Sequence, residues 1–303
     1  MKKSYLFFFF LVIVFLNFSC KKPDITPAYL LLSEEDFQNC INTDNFNKLH
    51  ETDYNKEELN VIKQQNFTEV LISLRGQSLG YWHLPCRIPL LPDYSQKNNI
   101  QVIPCVRTFN TSSTATPYYF LSPVEQFFDM EKEGEYKLSD LKFEYVQSIA
   151  FPVLETFSQS TVFKPRNDTI DPVSMEVHSG EGRIVLTDSV DFFNVVTPYF
   201  YLRGQGMRQF WEMEYKCETG EMVAYLEFQN TITGIHNQDM IVFPATTNWK
   251  KAYIDLTDVV SWACGTASRV SVRLGIKGYP AVNAQNATFR FKYVKVITMS
   301  APY

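Results

Sequence analysis

Basic charge is scarce in this 303-residue chain: 28 Lys and Arg stand against 33 Asp and Glu, a net charge of −5. Residues 1–19 hold two lysines and no acid, so a chain without them sits at −7. Phosphate binding needs clustered positive charge, and nucleic acid is therefore set aside as a partner. Histidine is equally sparse. His50, His83, His178 and His236 lie far apart, with no second histidine three to five residues away. Ready-made zinc spacings and metalloprotease helices are thus absent. No Gly-x-Ser-x-Gly occurs, which removes the nucleophile elbow of a serine hydrolase. Internal repeats are missing too. What remains is 45% hydrophobic and 20% charged, a globular composition long enough for two domains.

At the N-terminus, Met1-Lys2-Lys3 precedes an unbroken apolar run over residues 5–16. Twelve residues are too few to span a ~30 Å hydrocarbon core as a helix, and they suit a signal-peptide core. Leu16-Asn17-Phe18-Ser19-Cys20 then resembles a bacterial lipobox, with a small residue directly before the cysteine. Its leucine stands four residues ahead of the cysteine, where the usual pattern has three. The resemblance implies cleavage before Cys20, diacylglycerol on its sulfur and acylation of its new amino group. Several acyl chains anchor stably where one is marginal. The alternative is a non-lipidated signal peptide or an anchor helix. Lys21-Lys22-Pro23 lacks the aspartate that holds many lipoproteins at the inner membrane, so an outer-membrane address is expected, on the periplasmic or the cell-surface face. Residues 20–28, with Pro23 and Pro27, read as a tether.

The remaining 284 residues keep 39 of the 46 aromatics, a content that suits pleated sheets. Residues 33–62 are too polar to bury a continuous face and are expected to be irregular, with one short helix. From residue 67 the pattern turns to alternation, and strands are expected over 67–74, 79–86, 99–108 and 137–147. Residues 29–148 are accordingly read as an immunoglobulin-like antiparallel sandwich. Residues 151–303 carry eight or nine short strands separated by turn signals, without a helix pattern. That count fits a C-terminal jelly roll, so the fold class is all-β.

Several elements then converge on a family. Leu84-Pro85, Pro89-Leu90-Leu91, Ile100-Gln101-Val102-Ile103-Pro104 and Pro117-Tyr118-Tyr119-Phe120 resemble the pattern of uncharacterised two-domain lipoproteins of Bacteroidota. Pro152-Val153-Leu154-Glu155-Thr156-Phe157 is similar to the start of that family's second domain. Trp249-Lys250-Lys251-Ala252-Tyr253-Ile254-Asp255-Leu256-Thr257 is similar to a late strand of jelly-roll carbohydrate-binding modules. The family resemblance implies architecture and an envelope setting, and assigns no reaction.

Candidate chemistry is thin. If strands 79–86 and 99–108 form a hairpin, Cys86 and Cys105 face each other within disulfide reach; otherwise they are two buried free thiols. Glu212 and Glu214 share one strand face and form a glycosidase-like pair in principle, although their alternation with Phe210, Trp211, Met213 and Tyr215 reads more simply as a half-exposed strand. Glu155 stands where jelly-roll modules often carry a structural calcium ligand, but one carboxylate is far from calcium's six to eight oxygens. Otherwise no cofactor is expected.

Aromatics are the richer signal. Tyr81, Trp82, Tyr199, Tyr201, Trp249 and also Trp211 and Trp262 are candidates for sugar stacking or protein docking, each weighed against burial in the core. In Tyr199-Phe200-Tyr201, successive residues point to opposite faces, so one ring must leave the core. The sequence thus favours a non-catalytic outer-membrane lipoprotein serving as accessory or scaffold subunit of an envelope assembly. The second reading is a surface glycan-binding lipoprotein of a polysaccharide-uptake system. A groove lined by aromatic rings supports the second, and a flat apolar patch the first.

Overall fold

Period-two alternation of apolar and polar residues shapes nearly every element of the computed structural model, which describes residues 26–109, 115–167, 172–204, 206–230, 234–282, 284 and 286–299. Cys20 and the signal segment lie outside the described residues. Among those that are described, no helix is long and apolar enough to cross a membrane.

The first unit contains β1 (Ala28–Leu32), helices α1 (Phe46–His50) and α2 (Lys56–Lys63), and strands β2 (Glu69–Leu74), β3 (Gln77–His83), β4 (Cys86–Leu90), β5 (Asn98–Arg107), β6 (Ala115–Pro117), β7 (Val124–Phe128) and β8 (Glu135–Lys137). One sheet runs β3-β2-β5-β6, with β7 also on β5; the other runs β4-β1-β8. Leu30 and Ile88 from one sheet meet Val70, Ile72, Ile100 and Val102 from the other in a single core. The strands of this sandwich are antiparallel except β1 and β8, which are parallel.

Four local expectations change. Ala28, assigned to the tether, is a buried strand residue. The polar stretch 33–62 holds a 3-10 turn and two short helices, and α2 is fixed by a capping box that the polarity concealed. Asn55 Oδ1 accepts from the amides of Glu57 and Glu58 at 2.8 and 3.0 Å, and the Glu58 carboxylate accepts from the Asn55 amide at 2.8 Å. Leu141, Phe143 and Tyr145 are buried as their alternation predicts, yet only Phe143 and Tyr145 pair, in isolated bridges to Ile41 and Leu121. Finally, the run 79–86 breaks at Leu84-Pro85, so β3 pairs β2 while β4 pairs β1.

The second unit is a double-sheet sandwich. It is built from β9 (Ile149–Glu155), β10 (Lys164–Pro165), β11 (Glu176–His178), β12 (Glu181–Leu186), β13 (Phe193–Val196), β14 (Phe200–Arg203), β15 (Gln209–Cys217), β16 (Gly220–Asn230), β17 (Gly234–Phe243), β18 (Thr246–Asp255), β19 (Arg269–Pro280) and β20 (Ala287–Met299). The front sheet is ordered β11-β12-β20-β15-β18 with β9 on β20, and the back sheet β10-β13-β19-β16-β17 with β14 on β19. Trp211, Met213, Phe289 and Phe291 from the front sheet pack against Met222, Ala224, Leu226, Val272 and Leu274 from the back. A helix the strand pattern did not announce, α3 (Thr257–Cys264), closes one end with Val260 and Ala263 buried.

The two cores meet through the outer side of the front sheet. Phe210, Tyr253 and Ile297 leave the second unit's interior and join the first unit's cluster. There Phe210 lies 5.3 Å from Phe120 and 6.0 Å from Tyr118, edge-on in both cases.

Candidate functional site

The outer side of the back sheet gathers polar and aromatic groups into ordered rows. Antiparallel register sets Tyr201 beside Ser271 and Ser271 beside Gln229; the next row pairs Arg273 with Glu227, and the one after pairs Gly275 with Tyr225. Directly opposed residues in such ladders present side chains to the same face. Gly275 is required there. A Cβ at this position would sit inside the Tyr225 ring, which lies across the strand and donates its hydroxyl proton to Asn194 Oδ1 at 2.6 Å.

Glu227 is the centre of this face and is fully buried. Its Oε1 accepts from Arg273 Nε at 2.6 Å and from the Tyr199 hydroxyl. Arg166, arriving just after β10, places Nη2 3.1 Å from Oε2. Two guanidinium groups offset the desolvation of one carboxylate, as a buried charge requires. The Arg273 guanidinium also stands 4.7 Å over the Tyr199 ring. Burial, reinforced by the hydrogen bond to Glu227, raises the Tyr199 pKa above its ordinary value. The result is a rigid polar floor with Tyr201 at its rim, 61% exposed and carrying Arg269 4.6 Å from its ring centre. A groove of about 810 Å³ continues from this row between Tyr201, Gln229, Ser271, Arg269 and the end of α3. That is within the usual size of a small-ligand site.

A second polar cluster lies on the front sheet where the first unit covers it. Glu212 is fully buried, with Lys295 Nζ 3.3 Å and Lys251 Nζ 3.7 Å from its Oε2. Gln65 Nε2 donates to the same oxygen at 3.1 Å, and the Tyr118 hydroxyl donates to Oε1. Lys295 also donates to the carbonyls of Val61 and Ile62, both at 3.1 Å, at the C-terminal end of α2 where a cation is favoured. Glu214 is separate, paired with Lys292 at 2.5 Å. Glu212 is therefore not the half-exposed strand residue the alternation predicts; its outer face is roofed by another unit.

The remaining candidates are dispersed. Tyr81 on β3 is 53% exposed, whereas Trp82 packs on the first core and donates Nε1–H to the Leu79 carbonyl at 3.2 Å. Trp211 is core, and Trp262 on α3 is 67% exposed and edge-on to Phe228. Trp249 lies on the front sheet with Lys292 and Arg290 4.6 and 5.4 Å from its ring. Only Tyr199 and Tyr201 share one face.

Cys86 and Cys105 are free thiols, which corrects the bridge expected from a hairpin: Cys86 is opposite Leu32 in one sheet and Cys105 opposite Glu69 in the other. Burial pushes the Cys105 thiol up to about 12 and Cys86 to about 11, leaving little thiolate at neutral pH. The Glu155 carboxylate accepts from the amides of Phe157 and Val162 at 2.8 and 2.7 Å, closing the turn after β9. Among the described residues, no group of three or more His, Cys, Asp or Glu is placed to hold a metal ion. Sequence reasoning missed Glu227, Arg273 and Arg166. The one local sign was an acid inside the apolar run Val223–Phe228.

No protein-family model matches the chain, and no curated protein sequence does. Solved structures with partial likeness include a family 29 carbohydrate-binding module from Piromyces equi, at 12% identity and TM-score 0.34, covering 50% of this chain and 91% of that one. The CBM22-1 xylan-binding domain of Paenibacillus barcinonensis Xyn10C is similar at 10% identity and TM-score 0.33, covering 50% of this chain and 97% of its own. The CBM22-1-GH10 modules of Clostridium thermocellum endo-1,4-beta-D-xylanase 10B are similar at 13% identity and TM-score 0.33. This last likeness covers 49% of the present chain and 28% of the xylanase chain, so the chain spans less than a third of that protein.

Proposed function

We propose that this protein is a non-catalytic, glycan-binding lipoprotein of the bacterial outer membrane, and that the outer side of the back sheet is its binding face. The observation that carries this reading is the fixed constellation Tyr199–Glu227–Arg273–Arg166 beside the exposed Tyr201 ring and its groove. Sugar recognition needs an aromatic surface for the ring's CH groups and preset hydrogen-bonding groups for its hydroxyls. The exposed Tyr201 ring supplies the first, and the partly exposed guanidinium groups of Arg273 and Arg166, held by the buried Glu227 carboxylate before a ligand arrives, supply the second, which lowers the ordering cost of binding. The lipobox at Cys20 and the position of the protein in an envelope assembly, with an outer-membrane protein as partner, complete the proposal from the sequence side.

The test is a glycan array probed with the mature chain and with its Tyr201→Ala variant. The reading predicts selective binding to one glycan class, weakened about tenfold by the loss of roughly 1.4 kcal/mol of stacking. Equal binding by both proteins, or no selective signal, counts against it.

A further inference from the structure

The cleft between the two units contrasts with the rest of the chain in charge. A cavity of about 570 Å³ opens where α2 and the residues after it meet the front sheet, bounded by Trp249, Lys251, Lys292, Tyr293 and Glu214, with Lys63 on the opposite wall. Three lysines thus face one glutamate in a protein whose net charge is −5. Glu214 is already paired with Lys292. Lys251 and Lys295 share the single buried carboxylate of Glu212. Burial, and then the Lys295 charge, hold the Lys251 pKa well below its ordinary value, and an incoming carboxylate would favour its charged form. Lys251 is the member of the pair that lines the cavity, with its side chain 7% exposed.

Two further observations point to an occupant. Tyr293 is buried, lines the same cavity, and its hydroxyl has no hydrogen-bond partner. A buried hydroxyl left unpaired is unfavourable, so the wall that contains Tyr293 is left with an unmet polar group behind its surface. Trp249 adds a half-buried indole beside Lys292, an apolar surface within a polar wall. Asn39, Asn60, Gln64, Gln65 and Asn66 complete the lining with amide groups.

We infer that this cleft is a second binding site, for an acidic sugar whose ring lies against Trp249 and whose carboxylate is received by the lysine-rich wall beside Tyr293. It is separate from the back-sheet face and shares no residue with it. An inorganic anion offers the same charge without a ring, so the two sources are distinguishable by stacking.

The experiment is calorimetric titration of the full mature chain with trigalacturonate, with galactotriose and with sodium sulfate. Trigalacturonate is expected to bind at least tenfold more tightly than galactotriose, and equimolar sulfate is expected not to displace it. Trp249→Ala and Lys292→Gln should each weaken trigalacturonate about tenfold, Trp249→Phe should retain binding, and Tyr201→Ala should leave it unchanged. Melting temperatures of the variants within a few degrees of the parent confirm intact folds. The inference is overturned if trigalacturonate does not bind or binds no better than galactotriose. It is equally overturned if sulfate displaces trigalacturonate, or if Trp249→Ala in a folded protein binds it normally. Loss through Tyr201→Ala alone would move the acidic sugar to the back-sheet face.

Discussion

Lys295 and Glu212 are cross-strand neighbours on β20 and β15, 3.3 Å apart and fully buried, although they belong to the outer side of a sandwich. The first unit makes this possible. It closes over the pair and offers the carbonyls of Val61 and Ile62 to the ammonium, so an ion pair of one unit caps a helix of the other. The interface therefore has a fixed orientation, because apolar contact alone tolerates sliding whereas these hydrogen bonds do not.

Removing one member of the pair should be severe. Lys295→Met leaves Glu212 with Lys251 at 3.7 Å as its remaining cation, and is expected to destabilise the protein by about 3–5 kcal/mol in denaturant unfolding. The double variant Lys295→Met/Glu212→Leu should cost less than the single change. An additive pair of losses would show that the two side chains act independently.

Alkaline pH should unfold the protein through its interface tyrosines. Burial first, and then the charge of Glu212, raises the pKa of Tyr118, Tyr145 and Tyr253 above 10, and burial does the same for Tyr293. Groups with a raised folded pKa contribute stability that is complete below the unfolded value near 10 and is lost as pH rises beyond it. The slope is about 1.4 kcal/mol per pH unit for each such tyrosine. Spectrophotometric titration should show these phenolates appearing together with unfolding. Their reversible ionisation in a native protein near pH 10 would contradict the burial assigned to them.

Thiol chemistry should report every cysteine among the described residues as free. Cys40, Cys86, Cys105, Cys217 and Cys264 are all unbridged, and burial pushes Cys40 and Cys217 up to about 12. A thiol reagent is expected to react slowly with the native chain and to count five groups in denaturant without reductant when Cys20 is acylated, and six when it is not. A count lower by two would mean that one bridge forms.

Gly275→Ala tests how the back-sheet face is built. The added methyl collides with the Tyr225 ring and displaces its hydroxyl from Asn194. Overpacking of this kind should lower stability by about 1–3 kcal/mol and weaken glycan binding together with it. Normal stability would show that the ring has room to move.

The legible and the hidden parts of this molecule differ in range along the chain. Alternation marked β5, β15, β19 and β20 because the signal is local: each strand's own residues decide which face is apolar. It also forced apart Phe200, which packs on the core, and Tyr201, which is exposed. Glu212 was illegible because what buries it comes from elsewhere: Gln65 is 147 residues away. Glu227 reads as an ordinary solvent-side strand residue until β19 brings Arg273 from 46 residues downstream. The Cys86–Cys105 bridge failed for a related reason. Closeness across a turn was inferred from symmetric spacing, but Leu84-Pro85 diverts the chain into the other sheet.

The central claim, that the outer side of the back sheet holds a glycan, is tested most directly by hydrogen exchange with and without the glycan selected on the array. The account predicts slowed exchange confined to peptides spanning Phe200–Arg203, Gly220–Asn230 and Arg269–Pro280. Protection located instead on the first unit, with these three strands unchanged, would contradict it.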